Sequence, residues 1–310
     1  MKITEFKLRG EIAGLYFLSD LEHKYLIHRL LTVAREVGVS PELRGWNWHE
    51  APLKPYYEDI KLPMYVVCSK YCPTDRDVYL SQVEKAKGIL NLKMALGKML
   101  HGAVSDSLQA FIQRRKLDFE SWLQKVRWNE IPAKREDVLK PAEMVWHYVI
   151  KQCEAKYAEI AARQPYASEQ DLMASTVPFL IEHKISGELL GLSGLLSLDC
   201  YDYLRAIMFD LKVESEPQDW HRLAPVGYAI VFESVYEVPV NICCTIYLNL
   251  RDDKITVKKD LFFANDELRN WWIEERDRKL EIVAEKRDPG KPSQSSQCDN
   301  NCIYYKLCYT

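Results

Sequence analysis

The stretch Leu189–Lys212 reads LLGLSGLLSLDCYDYLRAIMFDLK, and its two apolar runs decide the fold. The first run ends in Asp199, and the second ends in Asp210-Leu211-Lys212. Four to eight apolar or aromatic residues on either side of a short polar connection predict a hairpin, with the turn at Tyr201–Arg205. Side chains alternate along a strand, so Asp210 and Lys212 share one face, and Asp199 can lie beside them on the neighbouring strand. Two carboxylates and a lysine converging on a sheet face are costly to desolvate. A divalent cation with a nearby acid or base offsets that cost.

Working outward, Val177–Ile185 predicts a strand before the hairpin. The hairpin strands themselves are expected over Leu189–Asp199 and Tyr203–Val213. Trp220–Tyr236 follows as a helix, Val240–Leu248 as a buried strand, Lys254–Lys258 as a polar-edged strand, and Asn265–Ala284 as a charged helix carrying Leu268, Trp271, Trp272 and Leu280. Upstream, Val83–Arg115 and Lys134–Arg163 carry apolar residues at helical spacing, and Gly97 and His101 lie within the first of these. Near the N-terminus, Ser19 and Glu22 form a capping-box pattern, and Gly38 closes the helix it opens. The expected class is α/β, with an α+β-like mixed sheet flanked by helices. The expected organisation is an N-terminal helical and irregular extension over 1–63, a main domain over 64–285, a linker over 286–297 and a short tail over 298–310.

Composition narrows the function. The chain has 310 residues, 47% hydrophobic and 28% charged, which suits a soluble globular protein. No apolar run is long enough to span a membrane, and Met1-Lys2-Ile3-Thr4 does not open a signal peptide, so a cytoplasmic protein is expected. A formal net charge of −3 excludes a strongly basic nucleic-acid coat and leaves local patches to make any such contact. Nine cysteines in such a chain point to metal binding before disulfides. Cys298, Cys302 and Cys308 crowd a tail too short to bury a core of its own. Its plausible route to order is a bond to something else. Three thiolates suit a soft metal centre that needs a fourth ligand, for which Cys72 and Cys68 are the candidates. Cys153, Cys200, Cys243 and Cys244 sit in apolar runs and read as small hydrophobes. One distant cysteine with three clustered ones favours a 4Fe–4S cluster over zinc, whose ligands usually come in two close pairs.

A lone cysteine in Tyr71-Cys72-Pro73, a helix with Gly97-x-x-x-His101, an aspartate, an Asp-x-Lys and three terminal cysteines follow one another in order. This arrangement resembles the RecB-like iron–sulfur nucleases of the PD-(D/E)XK superfamily. Within them it looks most like the CRISPR-associated exonucleases of the adaptation module, in the archaeal Csa-type branch. The resemblance runs from about Cys72 to the C-terminus. It implies a restriction-endonuclease-like RecB core with a C-terminal iron–sulfur tail. It also implies His101, Asp199, Asp210 and the Leu211 carbonyl as ligands of Mn2+ or Mg2+. Asp199, Asp210, Lys212 and Tyr228 would be catalytic, and Cys72, Cys298, Cys302 and Cys308 would be cluster ligands. The implied activity is metal-dependent exonuclease cleavage of DNA, at single-stranded ends or overhangs, in CRISPR spacer acquisition alongside the integrase and other adaptation proteins. Two departures stand out. Ala224 occupies the place of a glutamine, and the tail spacing is Cys-x3-Cys-x5-Cys instead of Cys-x2-Cys-x5-Cys. The alternatives are a catalytically weak or inactive nuclease-fold scaffold subunit of the adaptation complex, and a zinc-stabilised nucleic-acid-binding module. Asp202 remains a rival to Asp199.

Overall fold

A computed structural model describes residues 14–89, 91–114, 118–127, 134–213, 216–251, 254–293, 298 and 302–309. Met1–Thr4 and part of the expected linker lie outside the described residues. Among the described residues, no helix is long and apolar enough to cross a membrane. The helices are α1 (Asp20–Tyr25), α2 (Leu31–Val37), α3 (Met64–Cys68), α4 (Arg76–Val78), α5 (Leu92–Ile112), α6 (Phe119–Leu123), α7 (Arg135–Arg163), α8 (Glu169–Thr176), α9 (Leu223–Tyr236), α10 (Asp266–Glu285) and α11 (Tyr305–Tyr309). The strands are β1 (Phe179–Ile185), β2 (Leu196–Asp202), β3 (Ile207–Lys212), β4 (Ile242–Arg251) and β5 (Lys254–Phe263).

The five strands form one mixed sheet in sequence order. Neighbours are antiparallel except β3 and β4, which run parallel. A parallel pair needs a crossover, and α9 supplies it. The hairpin at the centre of the prediction is present but shifted. Glu188–Leu190 forms a 3-10 turn, and Gly191 at φ +74° ends it in the left-handed region. Residues 189–192 therefore pack as irregular chain, with Leu190 and Leu192 buried. The hairpin turn falls after Asp202, not at Tyr201. Asp202 Oδ1 accepts the backbone N–H of Leu204 and of Arg205, and its other oxygen pairs with the Arg205 guanidinium at 2.8 Å. Asp202 thus serves the turn.

The sheet separates two cores. One lies towards α5 and α7, and the other towards α3, α9 and α10. Along β3, Ile207, Phe209 and Leu211 enter the first core and Met208 the second. Asp210 and Lys212 follow Met208 by the two-residue period, on the side of α9. The four cysteines read as hydrophobes are fully buried, Cys153, Cys200 and Cys244 in the first core and Cys243 in the second. Residues 15–62 contribute to both cores. Leu15, Tyr16, Leu26, Leu30 and Ala34 join the first, and Leu43, Leu53 and Leu62 the second. The Ser19–Glu22 capping box is formed, and Gly38 closes α2 at φ +72°.

Two departures from the periodicity have physical causes. The helix expected from Val83 begins at Leu92, where the Asn91 side chain accepts the Met94 N–H as cap. Before it, the chain is tied to the C-terminal tail: the Ile89 N–H donates to the Ile303 carbonyl at 3.0 Å. Gly88 lies so close to Ile303 that an added Cβ would come within 2.6 Å of it. The second departure is α10, whose polar residues are buried. Arg269 donates to the carbonyls of Leu43, Val240 and Ala264, Arg276 to those of Pro52 and Leu53, and Lys279 to those of Val67 and Ser69. Irregular chain buried against a helix has carbonyls without ladder partners, and these cations satisfy them.

Gly227 on α9 faces Trp272 of α10, and a Cβ there would meet the indole and also Met64 Sδ at 2.8 Å. Gly227→Ala gains about 1 kcal/mol of helix propensity but overpacks the core by about 1–3 kcal/mol. A net loss is expected in the urea midpoint. An unchanged or higher midpoint would show that α9 and α10 can separate freely.

Candidate functional site

His101 of α5, Glu182 of β1, Asp199 of β2, and Asp210 and Lys212 of β3 converge, with Tyr228 of α9 close by. His101 Nδ1 lies 3.6 Å from Asp199 Oδ1. Asp199 Oδ2 accepts the backbone N–H of Leu211 at 2.7 Å, which locks the carboxylate to the neighbouring strand. Lys212 Nζ lies 2.9 Å from Asp210 Oδ2. That oxygen is buried and, among the described residues, meets only the Lys212 ammonium, so it keeps acceptor capacity for a further positive group.

The electrostatics follow from burial and from these pairings. Burial alone would lower the His101 pKa, but the facing Asp199 carboxylate outweighs it and the net shift is upward. Burial would raise Asp199, yet His101, the Leu211 N–H and Lys212 hold it below the usual carboxylate value. Asp210 is raised, by burial and by Asp199, against the opposing pull of Lys212. Burial would lower Lys212, but Asp210 and then Asp199 push it up, so it stays charged. Tyr228 is pushed well up by burial, then by Asp199 and Asp210, which keeps its hydroxyl protonated.

Glu182 is the residue that sequence reasoning missed. One ligand atom each from His101, Glu182 and Asp199 lies within 4.8 Å of the others, the one such group among the described residues. Glu182 sits mid-strand at φ +48°. The register Phe179↔Asp202 and Ile181↔Cys200 puts it opposite Asp199. The sequence alone does not fix that register, and so gives no signal for it. Tyr16 is a second missed neighbour. Its hydroxyl is raised by burial and then by Asp199.

Other predicted residues separate clearly. Asp202 is engaged in its turn, and Asp199 faces His101. Ala224 is buried one helical turn before Tyr228 and presents no polar group. Cys72, Cys298, Cys302 and Cys308 line one recess of about 350 Å3, solvent-open mouth included, with Asp77, Pro292 and Tyr304 among its other walls. Arg76 Nη1 approaches Cys308 Sγ at 3.5 Å, and Cys298 Sγ lies 3.5 Å from the Tyr309 hydroxyl. Burial lifts the Cys302 thiol, and Cys72 and Cys298 add to the effect. Cys68 turns elsewhere: its Sγ contacts Met64 Sδ at 3.6 Å, and burial pushes its thiol up to about 12. The segment leading into the tail is clasped by a bidentate Arg76–Asp288 pair and by the Thr74 hydroxyl donating to the Gly290 carbonyl.

Residues 15–310 match the sequence family described as CRISPR-associated exonuclease Csa1. The match places the chain among the CRISPR-associated exonucleases. It belongs to the Csa1 family of that class. A CRISPR-associated exonuclease Csa1 of Saccharolobus solfataricus is 26% identical over 279 residues, spanning 88% of this chain and 93% of its own. One from Thermoproteus tenax is 26% identical over 294 residues, spanning 94% and 99%. A crystal structure from Eubacterium rectale, described as a candidate exonuclease, aligns at a TM-score of 0.40 and 11% identity, covering 77% of this chain and 89% of that one.

Proposed function

We propose that this protein is a metal-dependent DNA exonuclease that hydrolyses phosphodiesters at single-stranded ends or overhangs, and that it prepares DNA for CRISPR spacer acquisition with the integrase proteins. The observation that carries the reading is the convergence of His101, Asp199 and the Asp210–Lys212 pair from separate elements of a chain in the Csa1 family. The donor set fits a hard cation: two carboxylates, a backbone carbonyl at Leu211 and an imidazole that favours Mn2+ over Mg2+. The spare acceptor capacity of the buried Asp210 Oδ2 supports the fit. The chemistry such a cation supplies when bound is polarisation of the phosphodiester and a lowered pKa for water.

The chain's own residues do the rest. Lys212 keeps its proton and places a positive charge where the phosphate accumulates negative charge. The protonated Tyr228 hydroxyl offers a donor to a phosphate oxygen. Asp199, fixed by the Leu211 N–H, holds His101 in orientation. With Ala224 in place of glutamine, that position makes no polar contact to substrate, so Tyr228 is the polar group α9 offers there. The experiment is cleavage of DNA with single-stranded overhangs in Mn2+, with and without chelator. Digestion that survives chelation would sink the reading, as would its absence from metal-replete protein.

Cys72, Cys298, Cys302 and Cys308 would hold a 4Fe–4S cluster that fastens the tail to the region before α4. Zinc would require four sulfurs gathered at Zn–S distances of about 2.3 Å. Four thiols lining one recess could serve either centre, and the pattern of one distant cysteine with three clustered ones favours the iron–sulfur cluster. Metal-coupled folding supplies about 10 kcal/mol or more at small sites, so a structural role suffices. Cys298→Ala is expected to lose visible absorbance and solubility before it loses catalysis specifically. A variant that stays soluble and brown yet cannot cleave would call for a direct role of the cluster in the chemistry.

A further inference from the structure

We infer that Glu182 is a cation-binding residue of this site, sharing the ion with His101 and Asp199. The inference rests on the metal-dependent reading above.

It begins with the backbone of β1. The ladder to β2 pairs Ile181 with Cys200 and His183 with Leu198 in one continuous register, and the pair between them, Glu182 opposite Asp199, is missing. No residue is inserted, so this is not a bulge. The cause is Glu182 itself, which adopts φ +48° in the middle of a strand. Residues with a side chain enter that region at an energetic cost, and they hold it where the surroundings impose it.

The side chain shows what the distortion achieves. The Ser197 hydroxyl donates to Glu182 Oε2 at 2.6 Å, and Lys184 Nζ donates to the same hydroxyl at 2.8 Å. The carboxylate is therefore held from behind, while its Lys184 ion pair is long, at 3.9 Å. In front, its ligand atom stands within 4.8 Å of both His101 and Asp199. Glu182 is about one-third exposed and could relax towards water, away from Asp199. The structure instead holds two carboxylates together beside an imidazole. Two carboxylate oxygens and an imidazole nitrogen so placed are donors that Mn2+ accepts.

The test measures Mn2+ binding by calorimetry and by electron paramagnetic resonance, together with the thermal midpoint in metal-free buffer. Wild type, Glu182→Gln, Glu182→Gly and Asp199→Ala are compared. Glu182→Gln keeps the shape and a partner for Ser197, and it should weaken Mn2+ by about 10- to 100-fold with the midpoint little changed. Glu182→Gly should weaken Mn2+ similarly while raising the midpoint, because glycine takes positive φ without strain. A merely structural role predicts the reverse, a lowered midpoint with unaltered Mn2+ affinity, and overturns the inference. If Glu182→Gln binds Mn2+ as wild type does while Asp199→Ala does not, the Glu182 assignment alone fails. If wild type binds no Mn2+, the assignment and the metal-dependent reading fail together.

Discussion

Lys212→Ala is expected to cut DNA about 10^2- to 10^3-fold more slowly than wild type under single-turnover conditions, the usual consequence of removing one preorganised electrostatic group. Two effects combine. The variant lacks the cation proposed to meet the phosphate, and it strips Asp210 of its ion-pair partner at 2.9 Å. Burial and Asp199 already raise the Asp210 pKa. Without Lys212 the carboxyl shifts further towards its protonated form, so cation binding weakens as well. Asp210→Asn separates these effects, because it removes the charge and leaves Lys212 in place. It should lose cleavage to a similar degree with a smaller change in stability. Circular dichroism melts run alongside the assay exclude unfolding as the cause. Cleavage within tenfold of wild type in both variants would remove the pair from the chemistry.

The largest stability effect is expected at Glu233. This fully buried carboxylate accepts from Arg269 at 2.8 and 2.9 Å, from Arg44 at 2.8 Å, and from the backbone N–H groups of Gly45 and Val240 at 2.9 Å. It joins α9, α10 and the N-terminal segment in one polar knot. Glu233→Ala leaves the Arg269 guanidinium buried and uncompensated. The expected loss is about 3–5 kcal/mol, a large part of the roughly 5–15 kcal/mol that a domain commands. A urea midpoint corresponding to less than about 1 kcal/mol of loss would contradict it. Glu233→Met combined with Arg269→Met should recover only part of the deficit: it removes the uncompensated charge, but leaves the carbonyls of Leu43, Val240 and Ala264 and the N–H groups of Gly45 and Val240 without these partners.

The knot also sets a pH dependence. Burial would raise the Glu233 pKa, but Arg269 and the backbone donors bring it below the ordinary value. A depressed folded-state pKa gives stability that is complete above the unfolded value of about 4.3 and lost as pH falls through the folded one. Equilibrium unfolding of wild type below about pH 4 should therefore steepen relative to the double Met variant.

The hairpin chemistry was legible because it depends on local period: Asp210 and Lys212 must share a face, and Asp-x-Lys shows this without any knowledge of the fold. The α1 cap and the Gly38 stop were legible for the same reason. Asp199 against Asp202 was not, since either could end a strand. The choice was made by where the turn's N–H groups found an acceptor. Glu182 was hidden because its position opposite Asp199 depends on a pairing register 17 residues distant in sequence, and its left-handed backbone leaves no mark on composition. The buried cations of α10 were unreadable too. Arg269, Arg276 and Lys279 look like a solvated face until the irregular N-terminal chain presents its carbonyls to them. The expected helix start at Val83 failed through a competing long-range contact, the grip of residues 88 and 89 on Ile303.

The clasp between Thr74 and Gly290 joins residues 216 apart in sequence. At typical synthesis rates that separation is about 10–40 s of translation. Through that interval the wall carrying Cys72 waits with no tail to cover it. A chain stopped between Phe263 and Cys298 has made every strand of the sheet and the whole His101–Lys212 constellation, yet lacks three of the four thiols of the recess. Residues 298–308, with their three cysteines, thus reach the Cys72 wall only after the sheet is complete.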